Sequence, residues 1–362
     1  MKRKLVIFPL ILLLTGLTAA ANGINEKGAI SFTSDGVTIK SVILMIGDGM
    51  GPEHIKAAHI YKGGDLYMEK LPYIGSLGTD SRDGLTDSAA AATALATGHK
   101  TRNGYISVDR NLNELSTYFD AAKALGKKTG VVTSDFLCGA TPSCFSGHAE
   151  NRNDYATIVS KQLTGGVDLL YGCNMVDSGG NYYFGAESSL QAGYTFIDSE
   201  SDLPSLEPSK GVVGAFSSIE PTTQEGATTL QALTTSALDY LSHDGNGFAL
   251  MVEGAKIDKR SHANDFDGMV EQLMAFDECV KIVMNWIAEH GDAALIVTAD
   301  HETGGLVVPD EADPAVLSSK ISWSTSGHTQ TMVPVYSNGK SYVFNDRMDN
   351  TDIYKTIYEW LD

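Results

Sequence analysis

Residues 41–51 (SVILMIGDGMG) join an apolar run to an aspartate flanked by glycines, and this stretch decides the fold. Apolar runs of this length, rich in branched side chains, are typical of parallel strands that are buried on both faces of a sheet. Three later runs have a similar character, at residues 128–133 (KTGVVT), 248–252 (FALMV) and 293–298 (AALIVT). We therefore expect these four runs to form the centre of a parallel sheet.

Helical periodicity fills much of the chain between these strands. The predicted helices lie at roughly residues 86–97, 114–125, 226–242 and 264–289. Residues 164–215 and 302–327 lack a clear period, which predicts loops and short strands, in the first case around the sheet edge. The alternation of strands and helices indicates an α/β fold with a central, mostly parallel sheet and helices on both faces.

Polar side chains stand where three of the predicted strands end. They are Asp48, Glu253, Asp300 and His301. In an open α/β sheet, ligands bind beyond the carboxyl ends of the strands. Acids and an imidazole from distant parts of the chain would therefore meet on one rim, and these are metal-ligand types. Asp300 and His301 also allow a second interpretation, a helix cap followed by an ordinary buried histidine.

Two further patterns are ambiguous when taken alone. Asp258 and His262 are four residues apart, so on a helix they would share a face and could hold one metal ion. A surface acid near a histidine is also common. Ser88 follows Asp87 at the start of an alanine-rich segment, where both residue types serve as ordinary caps. The same position would point a serine hydroxyl at free N–H groups that favour an alkoxide and a bound phosphate.

The N-terminus predicts an export signal. Lys2-Arg3-Lys4 precedes an apolar run at residues 5–17, and Ala19-Ala20-Ala21 supplies small residues for cleavage. The alternative is a membrane-anchoring helix, which needs about 20 apolar residues, more than this run has. We expect a signal at residues 1–21 and a single catalytic domain at residues 22–362, periplasmic or secreted and without a membrane span.

The charge and the cysteines limit the partners and the site types. Loss of residues 1–21, which hold three basic and no acidic residues, changes the formal net charge from −19 to −22. Such an acidic chain is a poor match for nucleic-acid backbones and anionic lipids. The even number of cysteines permits disulfides, and Cys138 with Cys144 could close a small loop. The absence of a C-x-x-C pair argues against a cysteine-based zinc site.

Taken together, these segments resemble the alkaline phosphatase family across nearly all of residues 41–335. The resemblance rests on Gly47-Asp48-Gly49-Met50-Gly51, Thr86-Asp87-Ser88-Ala89-Ala90, Thr97-Gly98-His99-Lys100-Thr101, Ala140-Thr141-Pro142, Val252-Glu253-Gly254, Ile257-Asp258, His262-Ala263, Thr298-Ala299-Asp300-His301 and Gly327-His328. Each segment is a modest match, whereas all of them in this order are very unlikely to arise by chance. Residues 302–327 would correspond to a short version of the crown-like insertion over the active site.

The resemblance implies two zinc ions, one magnesium ion and a homodimer. One zinc would be held by Asp258, His262 and His328. The second zinc would be held by Asp48, Asp300 and His301, with Ser88 facing it. Magnesium would be held by Asp48, Thr141 and Glu253, whose hard oxygen ligands suit that ion.

The resemblance also implies how substrate is held. Arg152 lies eleven residues after Thr141 and matches the phosphate-binding arginine of the family, whose planar fork suits two phosphoryl oxygens. The resemblance also implies that Lys259 binds substrate. The expected substrates are small phosphate monoesters, hydrolysed through a phosphoserine at Ser88 with release of inorganic phosphate. Two zinc ions about 4 Å apart suit such an in-line displacement.

One position departs from the family pattern. Gly139 stands where family members usually carry Asp or His beside the magnesium, so Lys259 would lack its usual partner. We expect weaker magnesium binding and altered phosphate affinity as a consequence. A carboxylate from another loop, such as Asp135, is the alternative that the sequence leaves open.

Two other functions share part of this residue set. A phosphodiesterase of the same superfamily would have the metal rim, but it has no need for Thr141, Glu253 and Arg152, which suit a terminal phosphate. A secreted metal- or phosphate-binding protein without catalysis would keep the metal ligands and lose Ser88 or Arg152, and both are present. The sequence therefore favours a monoesterase.

Overall fold

The apolar run of residues 41–46 forms strand β1 (Ser41–Gly47), which is buried along its whole length in a ten-stranded sheet. The structure is a computed structural model, and it describes residues 38–310, 313–339 and 347–361. The predicted export signal lies outside the described residues. Among the helices of those residues, none is both long enough and apolar enough to cross a membrane.

The remaining strands follow in chain order. They are β2 (Tyr73–Gly78), β3 (Lys128–Phe136), β4 (Leu169–Cys173), β5 (Tyr194–Ile197), β6 (Gly211–Phe216), β7 (Ile219–Glu220), β8 (Thr228–Thr229), β9 (Phe248–Gly254), β10 (Ala293–Thr298), β11 (Glu302–Thr303), β12 (Leu306–Val307), β13 (Ser322–Trp323), β14 (His328–Thr329), β15 (Val333–Ser337) and β16 (Met348–Asp349).

The helices lie between them. They are α1 (Pro52–Lys62), α2 (Ser88–Thr97), α3 (Tyr118–Ala124), α4 (Ala140–Ser146), α5 (Tyr155–Thr164), α6 (Ala186–Gln191), α7 (Leu230–Ser242), α8 (Lys256–His262), α9 (Phe266–His290) and α10 (Thr351–Leu361). Short 3-10 helices occupy Met68–Lys70, Glu200–Ser205 and Pro314–Ser319.

The large sheet has the order β16-β2-β15-β10-β1-β9-β3-β4-β6-β5. Its pairings are parallel except for the two made by β15, which runs antiparallel to β10 and to β2. Helices α1, α7, α8 and α9 form one layer, and α2, α3, α4 and α10 form another. The predicted α/β fold with a mostly parallel sheet is therefore confirmed.

The four predicted central strands are β1, β3, β9 and β10, and they are adjacent in the sheet. The predicted helices are also present, although two of them begin four residues later than the sequence pattern suggests. Helix α3 begins at Tyr118 because the Thr117 hydroxyl accepts a hydrogen bond from the Asp120 backbone N–H. Helix α7 begins at Leu230 because Thr229 caps it in the same way.

The two segments without periodicity differ in their place in the fold. Residues 164–215 contribute β4, β5 and β6, which form one edge of the sheet as predicted. Within residues 302–327, short strands β11, β12 and β13 pair outside the large sheet, and β11 pairs with β14. This second segment therefore brings β14 close to the carboxyl end of β10.

The sequence left the pairing of the cysteines open, and the loop that Cys138 and Cys144 could close is not formed. All four cysteines are free and buried. Cys144 Sγ instead lies 3.3 Å from the Ala89 carbonyl oxygen, to which it donates, and 3.4 Å from Thr93 Oγ1. Burial raises the pKa of the Cys144 thiol to about 12, so this side chain packs as a neutral thiol. An even cysteine count alone does not distinguish these alternatives.

Candidate active site

The candidate ligands from the sheet meet on one rim because their strands are adjacent and in register. Glu253 on β9 is paired with Ile46 of β1 on one side and with Thr133 of β3 on the other. Thr298, the last residue of β10, is also paired with Ile46. Asp48 and Asp300 lie two residues beyond these two strand positions. The parallel topology therefore gathers acids from three strands at one level.

Asp48, Asp300 and His301 form a buried group that we call the inner cluster. His301 Nε2 lies 3.3 Å from Asp300 Oδ2 and 3.5 Å from Asp48 Oδ1. Asp300 Oδ1 accepts hydrogen bonds from the backbone N–H groups of Gly49 (3.1 Å) and His301 (2.9 Å). These bonds fix the carboxylate so that its second oxygen faces the histidine.

Burial changes the acid–base chemistry of the inner cluster. It raises the pKa of Asp48 well above its ordinary value, and the neighbouring Asp300, Asp258 and Glu253 charges raise it further. Burial likewise raises the pKa of Asp300. Burial and the neighbouring His328 lower the pKa of His301 to about 3, so its imidazole is neutral at physiological pH.

The inner cluster fits a divalent cation. Asp48 Oδ1 and Asp300 Oδ2 are buried and accept no hydrogen bond from any described residue. Buried carboxylate oxygens without a donor are costly, and a bound cation removes that cost. The neutral imidazole supplies nitrogen, and the two acids supply oxygen, which is a ligand set that zinc accepts.

Asp258, His262 and His328 form the outer cluster. His262 Nε2 lies 3.3 Å from Asp258 Oδ1 and 3.2 Å from His328 Nε2. One ligand atom from each of the three residues lies within 4.8 Å of the others. The two histidines are oriented by backbone carbonyl groups, since His262 Nδ1 lies 2.6 Å from Ser326 O and His328 Nδ1 lies 2.8 Å from Thr86 O. This geometry also fits zinc.

The two clusters are contiguous. One ligand atom from each of Asp48, Asp258 and His301 also lies within 4.8 Å of the others, so Asp258 reaches both clusters. The His301 and His328 rings stack with centroids 3.6 Å apart. Two ions bound here would therefore be neighbours, an arrangement that suits displacement at a phosphoryl group.

Ser88 lies at the start of α2 and faces the inner cluster. Its Oγ is 3.3 Å from His301 Nε2. The cap of the helix is Asp87, whose side chain accepts from the Ala90 backbone N–H at 2.9 Å, so Ser88 is not needed as the cap. Gly98 ends this ten-residue helix, and the N-terminal dipole favours negative charge at Ser88.

Arg152 lies on the same cavity as Ser88, and a carboxylate aligns its side chain. Arg152 Nη1 donates to Asp87 Oδ2 at 3.0 Å, and the Gly104 backbone N–H donates to the same oxygen at 2.9 Å. The cavity has a volume of about 260 Å³, and Asp48, Thr141 and Glu253 also line it. Asp87 thus caps α2 and holds Arg152, so one carboxylate aligns groups on both sides of the cavity.

Glu253 lies at the base of this cavity. Its side chain accepts hydrogen bonds from the hydroxyl groups of Thr133 and Thr141. Burial raises its pKa to about 8. The predicted trio of Asp48, Thr141 and Glu253 is therefore present on one cavity wall, whereas Thr133 is a contact that the sequence did not reveal.

Lys259 has a carboxylate partner even though Gly139 has no side chain. Its Nζ forms an ion pair with Asp135 Oδ2 and lies 5.1 Å from the centre of the Phe136 ring. The register of β3 against β4 shifts between Val132 and Phe136, and such bulges redirect side chains next to sites. Of the two possibilities that the sequence left open, the structure has Asp135 beside Lys259.

A side chain at position 139 would not fit this backbone. A Cβ added to Gly139 would lie 2.8 Å from the Phe136 carbonyl oxygen. The end of β3 that places Asp135 beside Lys259 therefore leaves no room for a side chain at position 139.

Known proteins are similar to this chain in sequence and in fold. A sequence model of the family described as Alkaline phosphatase matches residues 39–171 and 186–357. Alkaline phosphatase 4 of Bacillus subtilis is 32% identical over 329 residues, which cover 85% of this chain and 71% of that protein. The cold-active alkaline phosphatase of Shewanella sp. has a similar structure, with a TM-score of 0.80, 28% identity, and coverage of 89% of this chain and 100% of that one.

A second solved structure of similar fold contains magnesium. A mutant of TAB5 alkaline phosphatase with magnesium bound in its M3 site has a TM-score of 0.77 and 26% identity. The alignment covers 90% of this chain and 98% of that one.

Proposed function

The chain belongs to the alkaline phosphatase family, and on that premise we propose that this phosphatase hydrolyses phosphate monoesters through a phosphoserine at Ser88. The observation that carries the proposal is the position of the Ser88 hydroxyl, at the N-terminus of α2 and 3.3 Å from His301 Nε2. The hydroxyl shares its cavity with Arg152, which suits recognition of a phosphoryl group.

The proposed ions follow from the donor sets. Zinc fits the outer cluster and the inner cluster, and magnesium fits the oxygen ligands of Asp48, Thr141 and Glu253. When bound, such ions lower the pKa of a nearby hydroxyl and neutralise negative charge on the phosphoryl group. Gly139 brings no side chain to the magnesium ligands, so weaker magnesium binding stays a prediction, although Lys259 has Asp135 as its partner.

The chain's own residues define the two steps. Ser88 Oγ forms a bond to phosphorus while the bond from phosphorus to the alcohol oxygen breaks, and the alcohol leaves with a proton. Water then attacks the phosphorus of the phosphoserine, which frees Ser88 and releases inorganic phosphate. Arg152, aligned by Asp87, binds oxygens of the phosphoryl group in both steps.

Preference for monoesters is part of the proposal. The cavity places Arg152 and the Thr141–Glu253 wall around a space of about 260 Å³, where a terminal phosphate can offer several free oxygens. A diester has fewer charged oxygens to match these groups and a second alcohol to accommodate. Export of the chain, its organisation as one domain at residues 22–362 and assembly as a homodimer stay predictions from the sequence.

The test is colour release from p-nitrophenyl phosphate and from bis(p-nitrophenyl) phosphate at pH 9, with zinc and magnesium supplied. We expect the monoester to be hydrolysed much faster, with loss of activity on chelation and recovery on adding zinc. Faster turnover of the diester would favour the phosphodiesterase alternative. Absence of turnover on both compounds by the metal-loaded protein would overturn the proposal.

A further inference from the structure

Thr303 contacts side chains of both clusters, although no sequence pattern identifies it as a site residue. Its side chain is fully buried. Thr303 Oγ1 donates to Asp258 Oδ1 of the outer cluster at 2.5 Å and lies 3.2 Å from His301 Nδ1 of the inner cluster. Both contacts are made by one oxygen atom, so the hydroxyl links a carboxylate to an imidazole.

The direction of these hydrogen bonds follows from the donors available. A threonine hydroxyl has one hydrogen to donate and can also accept. In the contact with Asp258 the hydroxyl is the donor, so its hydrogen is directed to that side chain. The hydroxyl must then accept from His301 Nδ1–H, which leaves the lone pair of Nε2 facing Ser88 and the inner carboxylates.

The backbone around Thr303 supports this position. Its N–H donates to the Gly49 carbonyl oxygen at 3.1 Å, and its partner across the β11–β14 pair is His328. Gly49 has a positive φ of 72°, and a Cβ there would lie 2.8 Å from Thr303 Oγ1 and 2.9 Å from Asp258 Cα. Glycine at this turn therefore permits the close approach of three segments around the hydroxyl.

We propose that Thr303 is a positioning residue that selects the His301 tautomer with a free Nε2 and holds Asp258 in line with it. The inference rests on the proposed function, because the two clusters are assigned there as zinc sites. Thr303 acts through the two side chains that it contacts, Asp258 and His301. Partners of this kind, which orient a ligand through its second nitrogen, change metal affinity by roughly 10–100-fold when they are lost.

The test compares Thr303→Val with Thr303→Ser in the zinc-loaded protein. Valine preserves the shape and removes the hydroxyl, whereas serine keeps the hydroxyl. We expect Thr303→Val to lose zinc to a competing chelator at about 10–100-fold lower chelator concentration, and Thr303→Ser to stay close to the wild type. Thr298→Val is the matched control, because Thr298 is equally buried and donates to the Pro334 carbonyl oxygen.

A second measurement is made on the wild-type protein and does not depend on the Thr303 variants. Nitrogen NMR of wild-type protein labelled at histidine reports which ring nitrogen carries the proton, and His301→Gln identifies the signal. We expect Nδ1 of His301 to be protonated. Protonation of Nε2 instead, or zinc retention by Thr303→Val equal to that of the wild type, overturns the inference. Failure of the wild type itself to retain zinc overturns the proposed metal sites, so the two failures are distinguishable.

Discussion

The inner and outer clusters contain similar side chains and are held in different ways. Asp300 and His301 of the inner cluster are fully buried and follow a central strand, and two carboxylate oxygens of this cluster accept no hydrogen bond from the part of the chain that the structure describes. In the outer cluster, the His262 side chain is 41% exposed and sits on the short helix α8. His328 comes from a two-residue strand.

This difference in exposure leads us to expect that the inner cluster needs a cation for stability, whereas the outer cluster needs one only for chemistry. Water can solvate the outer histidines when no ion is present. Water reaches the inner carboxylates much less, so they must bind either protons or a cation. The inner cluster should therefore hold its ion more tightly and should affect folding more when the ion is removed.

Removal of the proposed nucleophile is expected to have the largest effect. Ser88 faces the inner cluster, and Ser88→Ala should lower phosphomonoester turnover by about 10³-fold or more because no other described hydroxyl occupies that position. Zinc content should stay unchanged, since neither cluster depends on Ser88. The check is steady-state turnover together with metal analysis, with Ser81→Ala as the control. A variant that keeps a tenth of the activity would contradict the assignment.

The next effect separates the clusters directly. Asp300→Asn keeps an acceptor for the Gly49 N–H but removes a buried charge, whereas His262→Asn alters an exposed ligand. Loss of a residue that only orients a ligand costs about 10–100-fold in metal affinity, so we expect Asp300→Asn to exceed the upper end of this range and His262→Asn to lie near its lower end. Excess zinc should restore activity to His262→Asn alone. Equal losses of zinc affinity in the two variants, measured by chelator competition, would contradict the expected difference between the clusters.

The third prediction concerns the stability of the metal-free protein. Burial raises the pKa of Glu253 from 4.5 to about 8, so this carboxyl binds a proton in the folded chain that it does not bind in the unfolded chain. That stabilisation is present at low pH and is lost as the pH rises through 8, by up to about 1.4 kcal/mol per pH unit for each such group. Asp48 shifts in the same direction.

Urea unfolding between about pH 7 and 8.5 measures the slope of the free energy of unfolding against pH. The window lies above the titration of His54 and His301, whose lowered pKa values of about 4 and about 3 give stability the opposite slope at lower pH. Zinc- and magnesium-loaded protein should lose the negative slope. Glu253→Gln should reduce it in the metal-free protein. Stability that rises with pH in this window would contradict the prediction.

The smallest expected effect is at the cavity rim outside both clusters. Asp135→Asn releases Lys259 from its ion pair, which leaves the ammonium free to face a bound phosphate. Because a half-exposed pair contributes little, inorganic phosphate should inhibit at a concentration lower by about 5-fold at most. Glu220→Gln, which affects the Lys256 pair near the same helix, is the control for general charge effects. Weaker inhibition in Asp135→Asn would contradict this prediction.

The sequence predicted the inner cluster better than the residues that support it. Buried strands have a strong sequence signal, and the ends of parallel strands lie together, so Asp48, Asp300 and His301 could be placed on one rim without coordinates. The family resemblance added the outer cluster and Arg152. Whether each residue has its proposed role stays a prediction.

Other features depend on local geometry that a linear pattern does not contain. Asp135 reaches Lys259 because β3 is irregular near its end, and a bulge of this kind has no reliable sequence signal. Thr303 acquires its contacts from the approach of Gly49 and Asp258, which are far away in the chain. The antiparallel direction of β15 and the free cysteines were likewise decided by tertiary packing.

The place of β15 in the sheet has a consequence for the order of events during synthesis. Strand β15 lies between β10 and the early strand β2, so Tyr73–Gly78 joins β10 in one sheet only after Val333–Ser337 has been made. His328 precedes β15 by a few residues and completes the outer cluster. On the proposed function, a ribosome must therefore translate most of the chain before a single turnover is possible, and we expect any fragment released earlier to be inert toward phosphate esters.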